Sequence, residues 1–308
     1  MIRNQALPRR RTLLYSGAII FLMSCLLTVV AFGQFSISEK TGKIPDFKYI
    51  PQIKWEFRSN APIYSSPVFS ESLVFIGGLD SILHAIDFKS GEEVWKFHCQ
   101  GEIRSTPAMG LKSVFLNGGD GTVYSLEKSS GKVIWKFKMQ AERKYDFADY
   151  FQSSPVLEED ALFLGSGDGN FYALDAKTGM LKWKFQTGDV VHTTAAIGEG
   201  RIYFGSFDGY VYALNASTGE LIWKFKTVGH MYFPKGEVQG SPAFFKDLVF
   251  IGARDYNVYA IDKSKGFCHW NKAFTNGSAL CNNVHDSIFP SGRVIAHRMA
   301  HNRRIFNH

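Results

Sequence analysis

From residue 51 onward, apolar residues come in short runs separated by clusters of Gly, Asp, Asn, Ser and Thr, and no stretch keeps a 3.6-residue apolar period. Short runs of this kind predict strands joined by tight turns, with few helices. The pattern is clearest between residues 191 and 225, where 191–197, 201–206, 210–214 and 220–225 read as four successive strands. The joints carry turn chemistry. Asp120-Gly121, Asp168-Gly169 and Asp208-Gly209 supply the positive φ that a tight hairpin needs. Asn215-Ala216-Ser217-Thr218-Gly219 is a longer turn whose Asn side chain can bond the backbone ahead of it.

This four-strand unit recurs. All six tryptophans, Trp55, Trp95, Trp135, Trp183, Trp223 and Trp270, occupy one phrase of the type Gly-x-x-x-Trp-Lys-Phe or a looser copy of it, at intervals of 40, 40, 48, 40 and 47 residues. A period near 40 built from four short strands is the signature of a β-propeller blade. The turn and the tryptophan form a longer unit, Ala-x-Asp-x-x-Thr-Gly-x-x-x-Trp, found from Ala85, Ser125, Ala173, Ala213 and Ala260. The small first residue is expected to leave room for an indole from the neighbouring blade. Asp87, Asp175 and Asp262, with Glu127 and Asn215, sit in separate loops and are assigned to turn chemistry. Lys96, Lys136, Lys184 and Lys224 alternate with Trp and Phe and are expected to solvate an exposed sheet edge.

This tryptophan-docking pattern, with Ser66-Pro67, Thr106-Pro107, Ser154-Pro155 and Ser241-Pro242 opening the units, resembles the PQQ-like (quinoprotein-type) β-propeller repeat family over residues 51–289. That family takes in pyrroloquinoline-quinone enzymes and BamB-type outer-membrane assembly lipoproteins. The resemblance implies an all-β propeller of four-stranded antiparallel blades. In the quinone enzymes the cofactor stacks on a tryptophan under two adjacent cysteines, with a calcium ion held by Glu, Asn and Asp. Here no two cysteines are adjacent and every tryptophan fills a docking position, so no catalytic residue carries over and no cofactor is expected. Cys-x-x-Cys-His and His-Glu-x-x-His motifs are absent too, and His297 with His301 is read as tail sequence.

Five units are clear and the ends are less so. Trp55 lies in a fourth-strand phrase with no preceding strands of its own, so two readings stand for a partial sixth blade: Trp55 completes it and closes a ring, or the chain is a longer propeller cut short, the reading preferred here. His285-Asp286-Ser287 aligns with Gln239-Gly240-Ser241, but the pattern dissolves after residue 295.

Composition narrows the class. With 45% hydrophobic residues, 29 glycines and 10 prolines in 308 residues, disordered and collagenous readings are excluded. The net charge of +7 is carried by the ends: residues 1–33 and 290–308 each hold four arginines and no acid, leaving −1 for the 256 residues between. A nucleic-acid partner is therefore not expected. Arg9-Arg10-Arg11 precedes an apolar run over 13–32, which predicts export, by a signal cleaved before Gln34 or by an uncleaved anchor. The organisation expected is a signal or anchor over 1–33, a linker over 34–50, propeller repeats over 51–289 and a divergent basic end over 290–308. Membrane contact is expected only through the first segment if it is uncleaved. Cys268 and Cys281 are placed to pair in an oxidising compartment or to fill apolar space unpaired.

Candidate binding residues come from places where the repeats disagree. Just before the opening Ser-Pro step stand Tyr64, Arg104, Gln152, His192, Gln239 and His285, all able to hydrogen-bond, at the expected mouth of the propeller channel. The two long intervals insert loops over 139–151 and 228–237, which carry Arg143, Tyr145 and Tyr150, and His230, Tyr232 and Phe233. Aromatic and cationic side chains on long loops are typical interface anchors. The expected function is a non-catalytic exported scaffold at the bacterial cell envelope, periplasmic or envelope-associated. Its expected partners are envelope or outer-membrane proteins. The competing class is a quinone-dependent dehydrogenase or small-ligand sensor working at the channel mouth.

Overall fold

The computed structural model describes residues 53–140 and 152–273. These residues form twenty strands and no helix, grouped in five four-stranded antiparallel sheets whose strands follow chain order. Blade 1 is β1–β4 (Val68–Ser70, Leu73–Gly77, Ile82–Asp87, Glu93–His98) and blade 2 is β5–β8 (Ala108–Met109, Ser113–Asn117, Thr122–Glu127, Val133–Lys138). Blade 3 is β9–β12 (Val156–Glu158, Ala161–Gly165, Asn170–Asp175, Leu181–Gln186) and blade 4 is β13–β16 (Ala196–Gly198, Arg201–Gly205, Tyr210–Asn215, Leu221–Lys226). Blade 5 is β17–β20 (Ala243–Phe245, Leu248–Gly252, Asn257–Asp262, Cys268–Ala273). The β-propeller expected from the repeat is therefore present. The positions of His285, Cys281 and the remaining strands expected after residue 273 lie outside the described residues.

Burial follows position in the blade. The third strands are buried along almost their whole length, whereas fourth strands such as Leu181–Gln186 alternate, with Trp and Phe turned in and Lys turned out. The core is thus laid between blades. Phe75, Leu83 and Ala85 of blade 1 pack with Val114, Leu116, Tyr124 and Leu126 of blade 2, and Tyr203, Val211 and Trp223 of blade 4 pack with Val249, Ile251 and Tyr259 of blade 5. No blade could bury its apolar faces alone, which is why the chain repeats.

The tryptophans make the joints. Each Ala faces the Trp of its own blade in register, as Ala85 with Trp95 and Ala213 with Trp223, and a register shift directly follows the Ala. The crossing to the next blade is made by the indole. Nε1 of Trp55, Trp95, Trp135, Trp183 and Trp223 donates to the carbonyls of Phe88, Lys128, Ala176, Ala216 and Lys263, at 2.9 to 3.1 Å. The same rings lie on the turn glycines of those blades, where a Cβ added to Gly219 (φ +75°) would stand 2.6 Å from Trp183. The room for the neighbouring indole therefore comes from the glycine of the Thr-Gly turn. Trp55 docks on blade 1 as the others dock on theirs, although residues around it belong to no sheet among the described strands.

The first strands are shorter than the apolar pattern predicts. In blade 4 the ladder starts at Ala196 and not at residue 191. The reason is chemical: Thr193 bonds Gly205 through its side chain, at 2.9 and 3.0 Å, where ladder bonds would otherwise form. The Asp-Gly turns match expectation, with φ of +77°, +85° and +82° at Gly121, Gly169 and Gly209. Asn215 Oδ1 accepts from the N–H groups of Ser217 and Thr218, and Asp175 Oδ1 from those of Lys177 and Thr178. Both side chains are turn acceptors.

Candidate functional site

Two hydroxyl positions gather the starts of the inner strands. The first, at Ser65, Ser105, Ser153 and Thr193, bonds strand to strand; Ser65, for example, bridges to both the carbonyl and the N–H of Gly77. The second runs from blade to blade. The N–H groups of Ser66, Thr106, Ser154 and Thr194 donate to the hydroxyls of Thr106, Ser154, Thr194 and Ser241 in turn, at 2.9 to 3.1 Å. The variable polar residues stand two positions before the members of this ladder.

Three of them form one continuous surface. The Arg104 guanidinium lies 5.9 Å from the centre of the Tyr64 ring, is held by Glu102 at 2.5 and 3.0 Å, and its backbone N–H donates to Gln152 Oε1 at 3.1 Å. His192 stands apart in exposure. It is buried and packs edge-on against Phe207 at 5.6 Å, while Gln239 is half-buried.

The path continues from His192 to the loop over 228–237. The guanidinium carbon of Arg254 lies 6.0 Å from the Phe207 ring and 4.3 Å from that of Phe233. Through Phe207 and Arg254 the loop is thus joined to the His192 position. Arg143, Tyr145 and Tyr150 of the other long loop lie outside the described residues.

The loop is fastened by buried charge. His230 and Phe233 exchange N–H to carbonyl bonds at 2.9 and 3.0 Å, which leaves Met231 and Tyr232 at the tip, 78% and 70% exposed. Below them, Gly229 N–H donates to buried Asp255 at 3.1 Å, and Asp255 also accepts from the Tyr259 hydroxyl at 2.5 Å. The Lys235 ammonium donates to buried Asp189 at 2.9 Å, and that bond holds the Lys235 pKa above its usual value. Burial pushes the Tyr259 phenol up, and the Asp255 hydrogen bond pushes it further in the same direction. His230 packs on Tyr256 at 4.9 Å. An apolar tip on a base held this firmly pays little ordering entropy on binding.

Asp189, Phe207, Arg254, Asp255 and Tyr256 are members of this site that the repeat comparison passed over. One signal was available. Arg254-Asp255-Tyr256 replaces the x-Asp-Gly turn of blades 2, 3 and 4, and Tyr256 keeps the positive φ, +66°, that glycine has there, as Ser81 does in blade 1 at +65°. A bulky residue in that region is strained, and such strain clusters at binding sites.

The indoles of Trp55, Trp95, Trp135, Trp183 and Trp223 are committed to neighbouring carbonyls and turn glycines, so none of the five is offered to a quinone as a stacking platform.

The comparisons with known proteins agree with the fold. The sequence pattern of the family described as outer membrane protein assembly factor BamB matches residues 52–183 and again 119–298. No curated protein matches the chain significantly by sequence. Among solved structures, BamB from Moraxella catarrhalis superposes with a TM-score of 0.64 at 18% identity, over 72% of this chain and 68% of that one. Quinohemoprotein alcohol dehydrogenase from Comamonas testosteroni gives 0.58 at 15% identity, over 70% of this chain and 43% of the enzyme. At these identities the structural likeness establishes the fold and nothing of the chemistry.

Proposed function

The chain belongs to the family of the outer membrane protein assembly factor BamB, and from that premise we propose that it is a non-catalytic, exported propeller that docks protein partners at the bacterial cell envelope during outer-membrane protein assembly. The observation that carries this reading is the loop over 228–237, whose Met231 and Tyr232 stand exposed on a base fastened by Asp189 and Asp255. An exposed methionine and tyrosine held in one geometry are suited to enter an apolar pocket on a partner. Tyr64, Arg104 and Gln152, ahead of blades 1, 2 and 3, offer further polar contacts.

Site-specific photocrosslinking from position 232 in intact cells tests the proposal. The expected result is a crosslink to an outer-membrane assembly component, lost when Met231→Ala is added, together with lowered outer-membrane protein levels in the double Met231→Ala, Tyr232→Ala variant. No crosslink and unchanged outer-membrane protein levels would sink it. The enzymatic alternative is tested separately: supplying pyrroloquinoline quinone with calcium is expected to produce neither binding nor alcohol oxidation.

A further inference from the structure

Four joints between blades share an aromatic contact that the fifth alters. The Phe that follows each docking Trp meets a third-strand Tyr in the next blade: Phe97 with Tyr124, Phe137 with Tyr172, Phe185 with Tyr212 and Phe225 with Tyr259, at 5.2 to 5.9 Å between ring centres. In blades 3, 4 and 5 that tyrosine donates its hydroxyl hydrogen to the Asp of its own hairpin, Asp168, Asp208 or Asp255, at 2.5 to 2.6 Å. Blade 1 has histidine at this place. His84 takes the edge of Phe57 at 5.0 Å, and the corresponding hairpin residue is Asp80.

The exchange removes a donor. His84 Nδ1 lies 2.5 Å from Glu93 Oε1, so the carboxylate fixes a hydrogen on Nδ1. Nε2 of the neutral ring then carries a lone pair, and it faces Asp80 Oδ2 at 3.5 Å. Both atoms are buried and neither has a hydrogen-bond partner. A lone pair opposite a carboxylate oxygen in a buried site is unfavourable, and a buried orphan acceptor adds to the cost.

One proton at Nε2 resolves both orphans. We propose that His84 is a proton-operated joint, which fastens residues 55–58 to blade 1 when Nε2 is protonated and loosens them when it is not. The imidazolium then donates to Glu93 on one side and Asp80 on the other, with its ring still against Phe57. The remaining charges around it are few. Lys96 is its cross-strand neighbour on β4 and lies 3.5 Å from Glu93, while Ile76 is its neighbour on β2. On the docked segment Glu56 and Arg58 pair with each other at 3.2 Å. The Cys99 thiol, which feels the Asp80 charge, is pushed up to about 11 chiefly by burial and stays protonated throughout. Burial works to raise the Glu93 carboxyl, but His84 and Lys96 together outweigh it and hold the group below its usual range.

The indole N–H of Trp55, bonded to Phe88 O at 2.9 Å, reports the docking directly. Its hydrogen exchange in the full chain, with chelator present, is compared at about pH 5.5 and about pH 7.5 after correction for the intrinsic rate. The expected result is about tenfold more protection at the lower pH, the equivalent of one charge-assisted hydrogen bond. His84→Tyr, which restores the Tyr–Asp pair of blades 3, 4 and 5, is expected to be protected equally at both pH values. Asp80→Asn, whose amide supplies the missing hydrogen permanently, is expected to behave the same way. Equal protection at both pH values in the parent chain would overturn the proposal, as would an unchanged pH dependence in His84→Tyr. A loss of protection on adding chelator would also overturn it, by showing that a metal ion and not a proton bridges the two atoms.

Discussion

Ser125 offers a direct test of how the joints are built. It stands where Ala85, Ala173, Ala213 and Ala260 stand in the other blades, opposite Trp135 in register, and like them it is fully buried. Its hydroxyl has no hydrogen-bond partner. Replacing Ser125 by Ala removes one buried orphan acceptor and donor, a gain of about 1–3 kcal/mol. The lost contacts of one oxygen atom offset part of this, since each atom pair contributes only ~0.1–0.2 kcal/mol. The net expectation is a stabilisation of about 1 kcal/mol, or a rise of about 2–4 °C in thermal midpoint for a domain of this size. Differential scanning calorimetry at a fixed scan rate measures it. The reciprocal change, Ala213→Ser, is expected to lower the midpoint by a similar amount, because it puts a hydroxyl against Trp223 where the parent chain has none. A Ser125→Ala midpoint equal to or below that of the parent would refute the reasoning, since it would mean that the hydroxyl has a partner that stabilises it.

Three further outcomes follow from the same geometry. Gly219→Ala is expected to destabilise the fold by about 3 kcal/mol, combining a positive φ with a Cβ pressed against Trp183 at 2.6 Å; chemical denaturation against the parent measures this. Cys99, with its thiol pushed up to about 11 by burial, is expected to resist alkylation at about pH 8 in the folded chain and to react only as the chain unfolds; mass spectrometry of the labelled peptide follows it. The Asp175 carboxyl is held below its usual range, first by the Thr178 hydroxyl and then by the Thr178 N–H. A lowered carboxyl contributes stability above the unfolded value of about 3.9 and loses it as pH falls through the folded one. Asp175→Asn, which copies Asn215 of blade 4, is therefore expected to flatten the loss of stability below about pH 4, as read from denaturation midpoints across that range.

The fold was legible because its information is repeated. Five copies of one phrase, each with its tryptophan, averaged out the ambiguity that a single strand of six residues carries, and the glycines of the turns marked where φ had to be positive. The details that escaped are those in which a side chain does the work of the backbone. Thr193 takes over the hydrogen bonds of a ladder, so the apolar run from residue 191 overstates the strand. The hydroxyls of Thr106, Ser154, Thr194 and Ser241 join neighbouring blades, whereas in sequence they look like ordinary turn residues ahead of a strand.

The candidate site shows the opposite balance. Its polar positions stand where the copies disagree, and the loop over 228–237 where the spacing grows. Neither feature marks Asp189 or Asp255, because each lies one blade or one turn away from the residue it holds. Disagreement between copies is still informative when it is tied to geometry. Tyr256 replaces a glycine at positive φ and packs under His230; Ser125 replaces an alanine and orphans a hydroxyl; His84 replaces a tyrosine and leaves Asp80 facing a bare nitrogen. In each case the repeat supplies the reference state, and the cost of the departure is measured against the blades that kept the common residue. A propeller whose blades agree in core and turns confines its individuality to such positions, and those at Tyr256 and His84 lie at the exposed loop and at the docked segment over 55–58.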